Sequence, residues 1–177
     1  VQKDTKGKLY YIKYKLVDSD QNIIIATTRP ETMFGDTAIA VHPKDQRYKE
    51  LVSKEVIIPI SNRKIKIITD DYADPDQGSG AVKITPAHDF NDYLVGKRNK
   101  LDLINILNKD GTLNENVPSH YQNIDRLDAR KKLISELDHK EYLDKIEDIN
   151  HTVPYGDRSN SVIEPLLTEQ WFVDAKK

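Results

Sequence analysis

The stretch that most constrains the fold is the β-branched run over residues 22–28, which reads NIIIATT. Three consecutive isoleucines and two threonines favour an extended backbone, and such a run is typical of a strand buried on both faces. Pro30 ends the strand, because proline lacks a backbone donor and biases Arg29 toward an extended conformation. The sequence therefore predicts a buried strand whose end carries the polar stretch TTRPET.

Further strands are predicted along the chain. Alternating apolar and polar residues over 8–16 indicate a half-buried strand. Residues 56–60 and 64–69 are β-rich runs separated by a tight connection, so they are predicted to form a hairpin. A short apolar strand over 81–85 follows a glycine turn, and β-rich pieces near the end of the chain are predicted at residues 152–153, 162–163 and 171–173. Many short strands therefore dominate the pattern.

Two longer helices and one short helix over residues 44–52 are predicted among these strands. Pro86 fits the first position of a helix that ends near Arg98, and Thr85 would be its N-cap. Residues 125–143 show an apolar stripe typical of an amphipathic helix, with basic residues such as Arg130 facing elsewhere. Short strands with two or three interspersed helices predict an α+β or compact barrel-like domain.

Composition limits the classes of protein to which the chain can belong. Its 177 residues, of which 37% are hydrophobic, are enough for one globular domain spanning residues 1–177. The formal charge of −2 predicts no global attraction to nucleic acid, although clustered basic residues could still contact phosphates. The absence of cysteine excludes disulfides, thiolate nucleophiles and cysteine-ligated zinc, and a cytoplasmic location is expected.

Other features of the sequence concern membranes and the ends of the chain. No apolar run approaches the roughly 20 residues that span a bilayer, so no membrane association is expected. The chain lacks an initiating methionine and stops in the middle of a pattern at WFVDAKK. We therefore expect it to be a domain excised from a larger protein.

The stretch TTRPET is the first candidate site. Three hydroxyls, a guanidinium and a carboxylate fall within six residues at the end of a strand, where polar groups commonly surround a ligand. Arg29 could hold a phosphate or a carboxyl group through paired hydrogen bonds. The alternative is that the threonines only cap free N–H groups at the strand end. The residues alone leave both interpretations open.

The stretch KITPAHDFNDY is the second candidate site. Lys83 and Thr85 lie two apart on a strand and therefore point to the same side. His88, Asp89 and Asp92 can share one face of the following helix. The alternative is helix stabilisation, since carboxylates in a first turn interact favourably with the helix dipole, and this explains Asp89 better than Asp92.

Two other kinds of chemistry are not expected. The histidines are scattered and no HExxH motif occurs, so we predict no metal site. No G-x-S-x-G turn is present to carry a nucleophilic serine.

Long motifs in the chain resemble a known family. At TTRPETMFGDTAIAVHP and GSGAVKITPAHDFNDY the sequence is similar to the editing domain inserted into class I aminoacyl-tRNA synthetases for branched aliphatic amino acids. Within that family, VKITPAHDFNDYLVGKR, NKDGTLNEN, DRLDARKK and VPYGDRSNSVIEPLLTEQWFVDAK look like valyl-tRNA synthetases rather than isoleucyl or leucyl enzymes. The resemblance covers nearly the whole chain.

This resemblance implies a compact mixed β-barrel-like α+β domain with a few flanking helices. It also implies post-transfer editing, the hydrolysis of threonine esterified to valine tRNA. The implied partners are the 3′ acceptor end of that tRNA, its threonyl group and the catalytic domain of the same synthetase. No cofactor is expected here, since ATP serves only the absent synthetic domain. The alternatives are a non-catalytic RNA-binding module that holds the acceptor end, or the corresponding domain of an isoleucyl-tRNA synthetase.

The resemblance also implies roles for individual residues. Asp92 would bind the substrate's α-ammonium group and act in catalysis together with Lys83 and Thr32. The remaining residues expected to bind the substrate are Thr27, Thr28, Arg29, Asp36, Thr85, His88 and Asp89. Attack of water on an activated ester can proceed by positioning and oxyanion stabilisation without a protein nucleophile, so no general base is assigned.

Overall fold

A 15-residue strand, β1 (Gln2–Leu16), is the centre of the computed structural model, which describes residues 1–167, 171, 173 and 175. β1 pairs antiparallel with β2 (Asn22–Thr27) near its end and with β7 (Leu143–Pro154) along most of its length. The predicted strand over 8–16 is therefore confirmed and extends further toward the N-terminus.

The remaining strands complete a mixed sheet that nearly closes on itself. They are β3 (Ala38–Val41), β4 (Glu55–Ile57), β5 (Lys64–Thr69) and β6 (Ala81–Ile84). The order is β2-β1-β4-β5-β3-β6, with β7 beside β1, and only the β3–β5 pair among these ladders is parallel. β2 and β6, at the two ends of this path, lie against each other. The predicted α+β, barrel-like class and the β4–β5 hairpin are confirmed.

The interior of this sheet holds the main hydrophobic core. Tyr14, Ile12, Ile23 and Ile25 are fully buried there. Ile24, between the last two, is only partly buried. The prediction that this strand is buried on both faces is therefore wrong, because the outer face of β2 is covered incompletely and burial alternates along it.

In the part of the chain that the structure describes, two α-helices and three 3₁₀ turns flank the sheet. The helices are α1 (Phe90–Asn99) and α2 (Arg126–His139), and the 3₁₀ turns are Pro30–Gly35, Gln46–Leu51 and Ser119–Tyr121. α2 buries Ala129, Leu133 and Leu137. It ends four residues before the predicted boundary, because Leu143 already belongs to β7. Among the described residues, no helix is long and apolar enough to cross a membrane.

The start of α1 differs from the prediction. The helix begins at Phe90 rather than Pro86, and its N-cap is Asp89, whose side chain accepts from the amides of Asn91 and Asp92. Thr85 is not the cap, because residues 86–88 form a separate turn before the helix, in which the His88 amide donates to the Thr85 carbonyl at 3.0 Å. The strand predicted over 171–173 includes residue 172, which lies outside the described residues.

Candidate functional site

A cavity of about 950 Å³ opens where β2 and β6 end side by side. Its wall is completed by the turns that follow these two strands, by the loop before β6 and by part of β7. The predicted site residues on this wall are Thr27, Thr28, Arg29, Thr32, Lys83, Thr85, His88, Asp89 and Asp92. The fold thus brings the two predicted polar stretches together, because both lie just beyond strands that are neighbours in space.

Asp36, the remaining predicted site residue, lies beneath this wall and is fully buried. Its Oδ2 accepts from the Tyr14 hydroxyl at 2.7 Å. Its Oδ1 accepts from the Thr85 hydroxyl at 2.7 Å and from Lys83 Nζ at 3.0 Å. Burial raises the pKa of Asp36, while the Lys83 charge and these hydrogen bonds oppose the rise. Asp36 therefore anchors the site from behind.

Lys83 has all three of its ammonium donors in use. Besides Asp36, Nζ donates to Thr32 Oγ1 at 2.7 Å and to Thr85 Oγ1. The Thr32 hydroxyl itself donates to the Arg29 carbonyl at 2.9 Å, and that of Thr85 donates to Asp36. Each threonine oxygen has two lone pairs and uses one for Lys83, so each keeps one for a further donor. The two hydroxyls therefore offer acceptors at the cavity wall.

Asp92 presents a second carboxylate to the cavity. It is 6% exposed, and its Oδ2 accepts from the Thr85 amide at 2.8 Å. Burial raises the pKa of Asp92 to about 6 even though the nearby Lys83 charge lowers it. Tyr72, which sequence reasoning missed, lies beside it, and burial together with the Asp92 and Asp89 charges raises the Tyr72 pKa to about 12. No pattern in the loop sequence distinguishes Tyr72 from an ordinary turn residue.

His88 and Asp89 have mainly structural contacts. Burial, together with the Arg29 and Lys83 charges, lowers the pKa of His88 to about 4, so its ring is neutral at pH 7. Its Nε2 accepts from the Ile106 amide at 2.9 Å, which places the proton on Nδ1. Asp89 caps α1, as the helix-stabilisation alternative describes. Within residues 1–167, no three His, Asp or Glu side chains are grouped as a metal would require.

The Arg29 side chain joins the two polar stretches. Its Nη1 donates to the His88 carbonyl at 2.8 Å, and its Nη2 donates to Glu164. Its own amide donates to Thr27 Oγ1 at 3.1 Å. These donors are therefore already occupied by the protein rather than free for the phosphate or carboxyl group that the sequence suggested.

The side chain of Arg130 does not lie where the sequence predicted. The helical pattern placed it on an outward face, but it donates to both oxygens of Glu31, at 2.7 and 2.6 Å. Glu31 is only 1% exposed, so its carboxylate requires a partner inside the protein. Apolar periodicity cannot show such a pairing, because it depends on where a distant turn packs.

Comparison with known proteins gives the same family along most of the chain. A family model described as leucyl-tRNA synthetase, editing domain, matches residues 51–150. The valine–tRNA ligase of Pelagibacter ubique is 62% identical over 176 residues, which cover 99% of this chain and 20% of that relative. The valine–tRNA ligase of Bacillus subtilis is 54% identical over 173 residues, covering 98% of this chain and 20% of the relative. The chain thus spans about a fifth of the length of these relatives.

Solved structures of low sequence identity share the fold. A ternary complex of Agrobacterium radiobacter K84 agnB2 LeuRS with tRNA and LeuAMS superposes with a TM-score of 0.60 at 18% identity, covering 91% of this chain and 24% of that one. The GlLeuRS-CP1 crystal structure gives a TM-score of 0.63 at 13% identity, covering 77% of this chain and 96% of that chain.

Proposed function

Because the chain belongs to the family of aminoacyl-tRNA synthetase editing domains, we propose that it hydrolyses the ester bond of threonine wrongly attached to valine tRNA. The relatives reported above are valine–tRNA ligases, which favours this assignment over an isoleucyl enzyme. We further propose that the chain is a single domain within such a ligase, and that its partners are the tRNA acceptor end and the ligase's catalytic domain. The reaction requires no cofactor from this domain.

The physical need for such a domain is well defined. A hydrophobic pocket cannot strongly reject an isostere that only adds a hydroxyl, and valyl-tRNA synthetase is itself the standard example, rejecting threonine by about 10²-fold. A second site that binds the hydroxyl reverses the preference, because a valyl group would leave buried polar groups without partners. The second site must therefore be rich in polar groups that match threonine.

The observation that carries the proposal is the excess of hydrogen-bond acceptors on the cavity wall. Thr32 Oγ1 and Thr85 Oγ1 each keep a free lone pair, and Asp92 adds a carboxylate. A threonyl ester brings the matching donors, an α-ammonium group and a hydroxyl. In this proposal the ammonium pairs with Asp92 and the hydroxyl donates to a threonine oxygen.

The chemistry that follows is attack of water on the ester carbonyl. The ion pair with Asp92 would fix the carbonyl in the cavity, so that the reaction occurs between positioned groups. Lys83 would orient the two hydroxyls and supply a buried positive charge near the developing oxyanion. Arg29, Thr27 and Thr28 would shape the wall toward the terminal adenosine.

The test measures deacylation of preformed threonyl-tRNA and valyl-tRNA by the full-length ligase and its Asp92→Ala variant. We expect the variant to hydrolyse threonyl-tRNA slower by on the order of 10²-fold, since it loses a desolvated charge partner of the ammonium. The matched control is Asp138→Ala, which removes an exposed carboxylate on α2 and should leave the rate unchanged.

Two results would contradict the proposal. Unchanged hydrolysis in Asp92→Ala would remove Asp92 from the reaction. Salt-sensitive tRNA binding by the wild-type protein without any ester hydrolysis would instead indicate an RNA-binding module.

A further inference from the structure

A chain of alternating charges connects helix α2 to the cavity wall. At one end, Arg130 donates to both oxygens of Glu31, and at the other end Arg126 Nε donates to Glu164 Oε1 at 2.9 Å. Arg29 lies between the two glutamates. Its Nη2 donates to Glu164 Oε2, and its Nε is 3.9 Å from Glu31 Oε1. Three arginines and two glutamates thus form one continuous network.

Arg29 is the member of this network that reaches the cavity. Its side chain donates to the His88 carbonyl in the turn before α1. Its own carbonyl accepts from the Thr32 hydroxyl at 2.9 Å and from the Thr32 amide at 3.1 Å. Any displacement of Arg29 would therefore move Thr32, whose oxygen also accepts from Lys83.

The use of arginine and glutamate in this network indicates that the turn carrying Arg29 must be held in one geometry. A buried ion pair is weak evidence for stability, because a well-packed apolar pair often stabilises as much. The planar fork of arginine, however, holds a carboxylate through two parallel hydrogen bonds and so permits a single arrangement. The Arg130–Glu31 pair has this geometry, with both distances below 2.8 Å.

We propose that Arg130 and Arg126 are positioning residues that hold the turn carrying Arg29 and Thr32 against the cavity, acting through Glu31 and Glu164. Neither arginine of α2 lines the cavity, so both act at a distance from the ligand. The inference rests on the proposed hydrolysis of threonyl-tRNA. Since misplacement of about 1 Å can cost on the order of 10²-fold in rate, the effect should fall on turnover rather than on binding.

The first experiment is single-turnover deacylation of threonyl-tRNA by the full-length ligase carrying Arg130→Gln. We expect the maximal rate to fall by about 10- to 100-fold, while the enzyme concentration at half-maximal rate stays within about twofold of wild type. The matched control is Lys131→Gln on the same helix, which removes an exposed cation and should change neither value.

A second variant separates positioning from folding. Arg130→Gln leaves Glu31 buried without a full partner, so the variant loses stability. The double variant Glu31→Gln/Arg130→Gln removes both charges, and we expect it to regain most of the lost thermal stability while its rate stays at least about tenfold below wild type. Recovery of the rate together with stability would overturn the inference.

A third measurement tests whether Arg130 acts through the turn. The double variant Thr32→Val/Arg130→Gln should be less than about threefold slower than the slower of the two single variants, because both substitutions affect the Thr32 hydroxyl. If the rate losses of the two single variants multiply in the double variant, the inference is overturned. A wild-type ligase that fails to hydrolyse threonyl-tRNA would contradict the proposed function, whereas an active ligase with a fully active Arg130→Gln variant would contradict only the positioning role.

Discussion

Two buried aspartates, Asp36 beneath the cavity and Asp92 on its wall, share a residue type but differ in their partners. Asp36 receives hydrogen bonds from Tyr14, Thr85 and Lys83, and it is completely buried. Asp92 is nearly as buried, but within the described residues its carboxylate accepts from a single backbone amide, that of Thr85, and lies beside the Tyr72 hydroxyl. Burial raises both pKa values, and that of Asp92 reaches about 6.

The difference in partners indicates which buried carboxylate supports the structure and which is available to a ligand. Asp36 has its charge and both oxygens satisfied by the protein, so it holds other groups in place. Asp92 has an unfilled requirement for a positive partner, which an incoming ammonium group would supply. In the proposed function, Asp36 would therefore support the site and Asp92 would bind the ligand.

The largest effect expected from this contrast is the loss of stability when the Asp36 carboxylate is removed. Asp36→Ala would leave the Lys83 ammonium 7% exposed and without its carboxylate, at a cost of about 3–5 kcal/mol in the free energy of unfolding. Chemical denaturation of wild type and variant measures this change, with Asp138→Ala as the exposed control. An unfolding midpoint equal to wild type would show that Asp36 is not the anchor.

A smaller effect is expected when Asp92→Asn changes how the free energy of unfolding depends on pH. The folded-state pKa of Asp92, about 6, lies above its unfolded value of 3.8, so its contribution to stability is full below pH 4 and is lost as pH rises to 6. His88 has the opposite slope, because its pKa falls from 6.5 to about 4. The variant lacks only the Asp92 contribution, because His88 and Asp36 titrate in both proteins, so its stability should rise by about 2–3 kcal/mol relative to wild type between pH 4 and 6.5.

The measurement is urea denaturation of both proteins at several pH values. Asparagine keeps an oxygen for the Thr85 amide, so the variant isolates the charge of Asp92. Parallel curves for the two proteins would mean that the pKa of Asp92 is not raised, and that its carboxylate does not lack a positive partner as the contrast with Asp36 requires.

The smallest effect concerns Asp89, which lies on the cavity wall but has the contacts of a helix cap. Asp89→Ala should lower the free energy of unfolding by about 1 kcal/mol, whereas Asp89→Ser should retain most of it because serine also caps well. Thermal unfolding of both variants distinguishes them. Equal losses would indicate that Asp89 stabilises the domain by something other than capping.

Sequence patterns predicted the fold class because period-two alternation and β-branched runs both favour extended strands, although the run in β2 overstated how fully its outer face is covered. They predicted the β4–β5 hairpin for the same reason. Within β7 they recognised only residues 152–153 as β-rich, and they misplaced the start of α1, where contacts between distant segments outweigh local preference. Residues 143–154 form a strand by pairing with β1, and residues 86–88 form a separate turn instead of the first turn of α1.

The candidate site could be predicted as two polar stretches because each follows a β-rich run in the sequence. Nine of the ten residues named from the sequence lie on one cavity wall, which supports treating the two stretches as a single site. Tyr72 and the Arg130–Glu31 pair could not be predicted. Their importance comes from neighbours far away in the sequence, and no local pattern records such neighbours.

The sequence by itself determined most of the strands, the polar residues at their ends and the family resemblance, since these depend on residue type and spacing. The tertiary structure decided which acid faces the cavity, which threonine oxygens remain free and which arginine supports the wall. The physical reason is that burial and hydrogen-bond partners set the charge and direction of each polar group. Asp36 and Asp92 became different only when the fold supplied three side-chain donors to one and a single backbone amide to the other.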